Sequence, residues 1–119
     1  MSRRNVLKKY QLFNSEDSTT NPISKETDVQ QLDFVTYQLS IDGAVNATLL
    51  VLFSNDERFD IANARELNFG APIVLDGASE ADYVLHIQNQ GFKWLLLGVS
   101  DNGGSGNISA WVTGNVRGA

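Results

Sequence analysis

The sequence predicts an all-β domain, an antiparallel two-sheet sandwich of jelly-roll type with about seven to nine short strands. Three observations carry this. From Leu32 onward, apolar residues recur with a period of two over several segments. Turn-forming groups such as Asp42-Gly43, Ser54-Asn55-Asp56, Asp76-Gly77 and Asp101 to Gly106 separate those segments at the spacing of sandwich strands. No stretch shows the apolar stripe of an amphipathic helix. A small barrel meets the same pattern and is the alternative architecture.

Residues 1–31 are mostly polar and read as a basic arm followed by a polar loop. Arg3, Arg4, Lys8 and Lys9 crowd the start, and Ser15 to Asn21 is acidic and rich in Ser, Thr and Asn. Leu12-Phe13 and Ile23 are short apolar touches that suit edge strands. Residues 32–119 form the sandwich, and the whole chain is expected to be a single domain. Val35, Tyr37, Leu39 and Ile41 fall on one face, with Thr36, Gln38 and Ser40 on the other, so this segment is a half-buried strand ended by Asp42-Gly43. Ala47 to Phe53 is apolar at nearly every position and is bounded by turn residues. It reads as a central strand covered on both faces.

Phe59 to Ile61, Glu66 to Phe69 and Ile73 to Leu75 are short strand-like segments, punctuated by Gly70 and Pro72. Tyr83, Leu85 and Ile87 then alternate with Val84, His86 and Gln88. Trp94 to Val99 is a dense apolar run, which assigns Trp94 to the core. Asp101 to Gly106 looks like a hairpin connection to the last strand, with glycines supplying the positive φ that hairpin turns need. There Ile108, Ala110 and Val112 alternate with Ser109, Trp111 and Thr113, so Trp111 stands on the polar side.

Composition narrows the function. The chain has 119 residues, 42% hydrophobic and 19% charged, enough to bury a core without staples. It has no cysteine, which rules out disulfides, a thiol nucleophile and cysteine metal sites. The formal net charge is −5 and the basic residues cluster at the start, so the body is acidic and no nucleic-acid partner is expected for it. No segment has the ~20 apolar residues of a membrane helix, and no apolar core follows the basic start as it does in a secretory signal. No membrane partner is expected. The sequons Asn46-Ala47-Thr48 and Asn107-Ile108-Ser109 read as chance occurrences.

Candidate chemistry is sparse. His86 is the one histidine, so a Ser-His-Asp triad would have to use it. It reads instead as a surface or interface residue. Asp56, Glu57 and Asp60, and Asp76, Glu80 and Asp82, lie among turn residues and read as turn chemistry, with a loop calcium site as the minority reading. No catalytic residue, metal site or cofactor is expected. The interface candidates are Arg3, Arg4, Lys8, Lys9, Trp111 and His86. If the domain instead binds a glycan, Phe59, Tyr83 and Trp111 are the stacking candidates.

Two stretches carry a resemblance. One is Leu50 to Asp56 followed by Phe59. The other is Gly91-Phe92-Lys93-Trp94-Leu95, then Gly103-Gly104-Ser105-Gly106-Asn107-Ile108-Ser109-Ala110 and Gly114. This order resembles small β-sandwich proteins encoded among the structural genes of bacteriophages, over roughly residues 32 to 118. The resemblance implies a non-enzymatic particle component, such as a capsid decoration or cement, vertex or fibre-base protein. Its partners would be other copies of itself and neighbouring virion proteins, with assembly in the host cytoplasm and residence in the virion. A weaker likeness to discoidin-type modules, which bind sugars or lipid head groups, implies a carbohydrate-binding module and a surface glycan as the alternative.

Overall fold

The computed structural model describes residues 7–89 and 91–116. Nine strands and two single 3₁₀ turns follow in order: β1 (Leu7–Asp17), a turn at Ser18–Thr20, β2 (Thr27–Asp28), β3 (Phe34–Ala44), β4 (Asn46–Ser54), a turn at Ile61–Asn63, β5 (Arg65–Glu66), β6 (Ile73–Asp76), β7 (Asp82–Gln88), β8 (Trp94–Asp101) and β9 (Ser105–Asn115). One sheet has the order β1-β9-β3-β7. The other has the order β2-β8-β4-β5, with β6 beside β5 on the same edge of β4. All pairings are antiparallel, and the chain passes repeatedly between the two sheets. This is the strand order of a jelly roll.

The core lies between the sheets. Phe13 of β1, Val35, Tyr37, Leu39 and Ile41 of β3, and Ile108, Ala110 and Val112 of β9 line one side. Ala47, Leu49 and Val51 of β4, Leu75 of β6, and Leu95, Leu97 and Val99 of β8 line the other. Period-two alternation puts these residues inward, and each fully buried aliphatic side chain contributes about 1.5–3 kcal/mol. Tyr37 is 0% exposed and its hydroxyl has no hydrogen-bonding partner. Burial, with a smaller push from Tyr10, holds its phenol far above the ordinary tyrosine range.

Several local readings change. Asp42-Gly43 does not end its strand, because β3 runs on to Ala44 against an equally long β9. Gly43, at φ +97°, lets the two strands close up instead: a Cβ there would stand 3.1 Å from Gly106 Cα. Asp101 to Gly106 is not a hairpin, since β8 and β9 belong to different sheets and the segment carries the chain across the sandwich. Gly104 is needed there for closeness, as a Cβ would fall 2.3 Å from Asn46 N and 2.4 Å from Ala44 O, where the β3–β4 corner passes. Ser15 to Asn21 is only partly loop. β1 continues to Asp17, with a backbone irregularity at Ser15 (φ +49°), and Asn21 ends the following turn in the left-handed conformation that Asn tolerates.

The β4–β5 connection also differs. Phe59 to Ile61 is not a strand. Asp60 accepts a hydrogen bond from Ala62 N at 3.0 Å and starts a 3₁₀ turn there. β4 is buried on its inward face, but Thr48, Leu50 and Leu52 of its other face are only half-buried. Trp94 likewise lies outside the core, half-buried on the outer face of the β8–β4 sheet, because its side chain points opposite to Leu95.

Candidate functional site

Leu50 to Phe59 and Gly91 to Leu95, from the stretches that carry the phage-protein resemblance, meet at one corner. Asn55 Oδ1 accepts from Lys93 N at 3.0 Å, and Asp56 O accepts from Trp94 Nε1 at 3.0 Å. Glu57 O accepts from Lys93 Nζ at 2.9 Å, while Phe53 and Phe92 pack with ring centroids 4.9 Å apart. Phe59 closes the corner edge-on over Trp94 at 6.0 Å. The loop after β4 is thereby strapped onto the start of β8. These residues are tied to one another, so the motif is a structural clasp.

Two of the loop carboxylates, Asp60 and Asp76, and that of Asp17 are engaged in local turns. Asp60 caps its turn, and Asp76 accepts from Ala78 N and Ser79 Oγ, each at 3.1 Å. Asp17 accepts from Thr19 N at 2.9 Å and Thr19 Oγ1 at 2.8 Å, which holds its carboxyl below the ordinary range. Among the described residues no three His, Asp or Glu side chains converge where a metal ion would fit.

The face with most to offer a partner is the outer side of the β1-β9-β3-β7 sheet. Cross-strand pairing lays Gln11, Trp111, Gln38 and Val84 in one row across all four strands. Thr113, Thr36 and His86 form the next row, where Thr36 Oγ1 and His86 Nδ1 are hydrogen-bonded at 2.8 Å. Trp111 is half-buried near the centre of this largely polar face, as its phase in β9 requires. Lys9 reaches across β1 and places Nζ 5.2 Å from the centre of its ring, a contact worth about 0.5–1 kcal/mol at an exposed site. Val84 is 60% exposed, and Asp82, His86 and Gln88 are exposed beside it.

The predicted site residues distribute as follows. Lys9, Trp111 and His86 share this face, whereas Lys8 is exposed on β1; both lysines therefore belong to a strand of the sandwich rather than to a free arm. Arg3 and Arg4 lie outside the described residues. The three stacking candidates do not come together. Phe59 covers Trp94 at the clasp. Tyr83 faces inward, and its hydroxyl accepts from Asp76 N at 2.8 Å and donates to Asp76 O at 3.1 Å, pinning β7 to β6 across the sandwich. Sequence reasoning passed over Asn89, whose amide joins three segments. Asn is an ordinary turn residue, and only the fold reveals which carbonyls surround it.

A cleft of about 480 Å³ opens between β5 and β6, lined by Thr48, Glu66, Asn68, Phe69, Pro72 and Ile73 among others. Its walls are mostly the exposed loop that joins those two short strands.

The chain matches no protein-family description and no curated relative by sequence. Its fold is shared with the crystal structure of SPBc2 prophage-derived protein YomS: TM-score 0.58, 11% identity, covering 97% of this chain and 96% of that one. Near-complete coverage of both chains means that the two proteins share one whole architecture, from β1 to β9.

Proposed function

We propose that the chain is a non-enzymatic structural component of a bacteriophage particle, a decoration, cement, vertex or fibre-base protein that acts by packing against copies of itself and neighbouring virion proteins. The observation that carries this reading is the end-to-end fold match to a prophage-derived protein of nearly the same extent. The outer face around Trp111 supports it. A half-buried tryptophan on a largely polar sheet face, with Lys9, Gln11 and Gln38 around it, has the composition of an interface anchor. The basic residues Arg3 and Arg4 then lie close in sequence to β1, the strand at the border of that face, and complement acidic neighbours in an assembly.

The glycan-binding alternative has less support. Stacking on a sugar ring needs a free aromatic face. Phe59 and Tyr83 are engaged within the chain, and the Lys9 ammonium stands over Trp111.

The test is Trp111→Ala in the phage or prophage genome that encodes the chain. The indole lies outside the core, so the purified variant should melt close to the wild type while its amount in gradient-purified particles falls at least several-fold. A variant that is folded and incorporated normally would overturn the role of this face. A variant that unfolds would show that the indole serves the fold.

A further inference from the structure

A sheet edge exposes unpaired backbone groups, and monomeric β-proteins blunt such edges with bulges, lysines, proline or short strands. Three of the edges here are blunted. β1 pairs with β9 through three register shifts, has a positive φ at Ser15 and carries Lys8 and Lys9. In the other sheet, one edge is the pair of short strands β5 and β6. The opposite edge is made of the Ile23 bridge to Gly98 and two-residue β2, just after Pro22.

β7 is different. Its register with β3 runs without a shift from Phe34↔Gln88 to Ser40↔Asp82. It contains no proline, no lysine and no glycine, and among the described residues no other strand pairs with it. Its hydrogen-bonding parity follows from the two ends of the ladder. Ile41 N donates to Ala81 O at 2.7 Å, and Asn89 N donates to Asp33 O at 2.6 Å. Bonding in an antiparallel ladder alternates, so Tyr83, Leu85 and Ile87 bond to β3. The N–H and C=O groups of Asp82, Val84, His86 and Gln88 therefore point away from the sheet.

We propose that β7 is a self-association edge, where it pairs antiparallel with β7 of a second copy and joins two four-stranded sheets into one. The strand is its own complement about Leu85. In that register the whole of β7 is used, and residues from the same face meet. Leu85 faces Leu85 of the second copy, Tyr83 faces Ile87, Val84 faces His86, and Asp82 faces Gln88. No like charges stand opposite one another, which matters in a chain of net charge −5. Self-complementarity about a twofold axis is what selects a second copy as the occupant. The proposal rests on the reading that copies of this chain pack together, and it adds where they do so.

Two measurements test it. The first is amide hydrogen exchange of the purified chain over a range of concentrations. The amides of Val84 and His86 should be protected at high concentration and exchange at least tenfold faster on dilution, while that of Leu85 stays protected throughout. If Val84 and His86 exchange as free amides at every concentration, the edge does not pair. The second is solution mass by light scattering for the wild type, Val84→Pro and the double variant Val84→Lys with His86→Lys. Proline at position 84 removes only an outward N–H, so the sandwich is kept and association lost. The double lysine variant reaches the same end by placing like charges across the axis, and it covers the case in which the proline variant fails to fold. Folded variants that remain associated would refute the β7 edge while leaving self-packing intact. A wild-type chain that is monomeric at millimolar concentration would refute both.

Discussion

Asn89 should be among the most costly polar residues in the domain to replace. Its Nδ2 donates to Val29 O at 2.7 Å, Leu32 O at 2.9 Å and Phe92 O at 3.2 Å. Its Oδ1 accepts from Phe92 N at 2.7 Å and Gly91 N at 3.1 Å. One amide thus fastens the segment entering β3 to the turn between β7 and β8. Its two hydrogens are shared among three carbonyls, so the side chain makes roughly four independent bonds at about 1 kcal/mol each, partly recovered by water after truncation. Asn89→Ala should then cost about 3 kcal/mol, measured by urea unfolding, and lower the melting temperature by roughly 10 °C or more. Asn89→Asp keeps the acceptor but aims a carboxylate at three carbonyl oxygens. Folding raises that carboxyl's pKa, so the variant's deficit should be larger at pH 7 than near pH 4, where the group is protonated and donates again. A loss under about 1 kcal/mol for the alanine variant, or an aspartate variant as stable as the wild type at pH 7, would refute this role.

Two further substitutions probe the core and the crossing. Tyr37→Phe removes a buried hydroxyl that has no partner, so stability should be unchanged or rise by about 1–2 kcal/mol; a clear loss in urea unfolding would mean that the hydroxyl is bonded in solution. Gly104→Ala should cost at least about 2 kcal/mol, because its Cβ would meet the backbone of Ala44 and Asn46, and a thermal melt matching the wild type would show that the two corners are not in contact.

Much of the architecture was legible in the sequence because it is written in local periodicity. The alternation in Val35 to Ile41, Tyr83 to Gln88 and Ile108 to Thr113 placed β3, β7 and β9 with the correct faces inward, and Trp111 outward. What failed depends on contacts between distant segments. Whether Asp101 to Gly106 closes a hairpin or crosses between sheets is decided by which strands β8 and β9 pair with. Trp94 sits in an apolar run, but alternation sends it to the outer face, where Phe59 and the Asp56 carbonyl receive it. Lys9 reads as part of a basic arm because the register shifts that let β1 follow β9 break its period-two pattern. By its phase, opposite to Tyr83, Leu85 and Ile87, His86 reads as a surface or interface residue, and the fold leaves it exposed. The fold adds that its backbone faces the open edge of β7.

The most direct test of the particle role is the copy number of the chain in gradient-purified, nuclease-treated particles from the genome that encodes it, measured by quantitative mass spectrometry against the major shell protein. A structural component gives a fixed ratio, reproducible between preparations and matching a symmetry of the shell, vertex or tail. Absence from the particle, or trace amounts that vary with purification, would contradict that role.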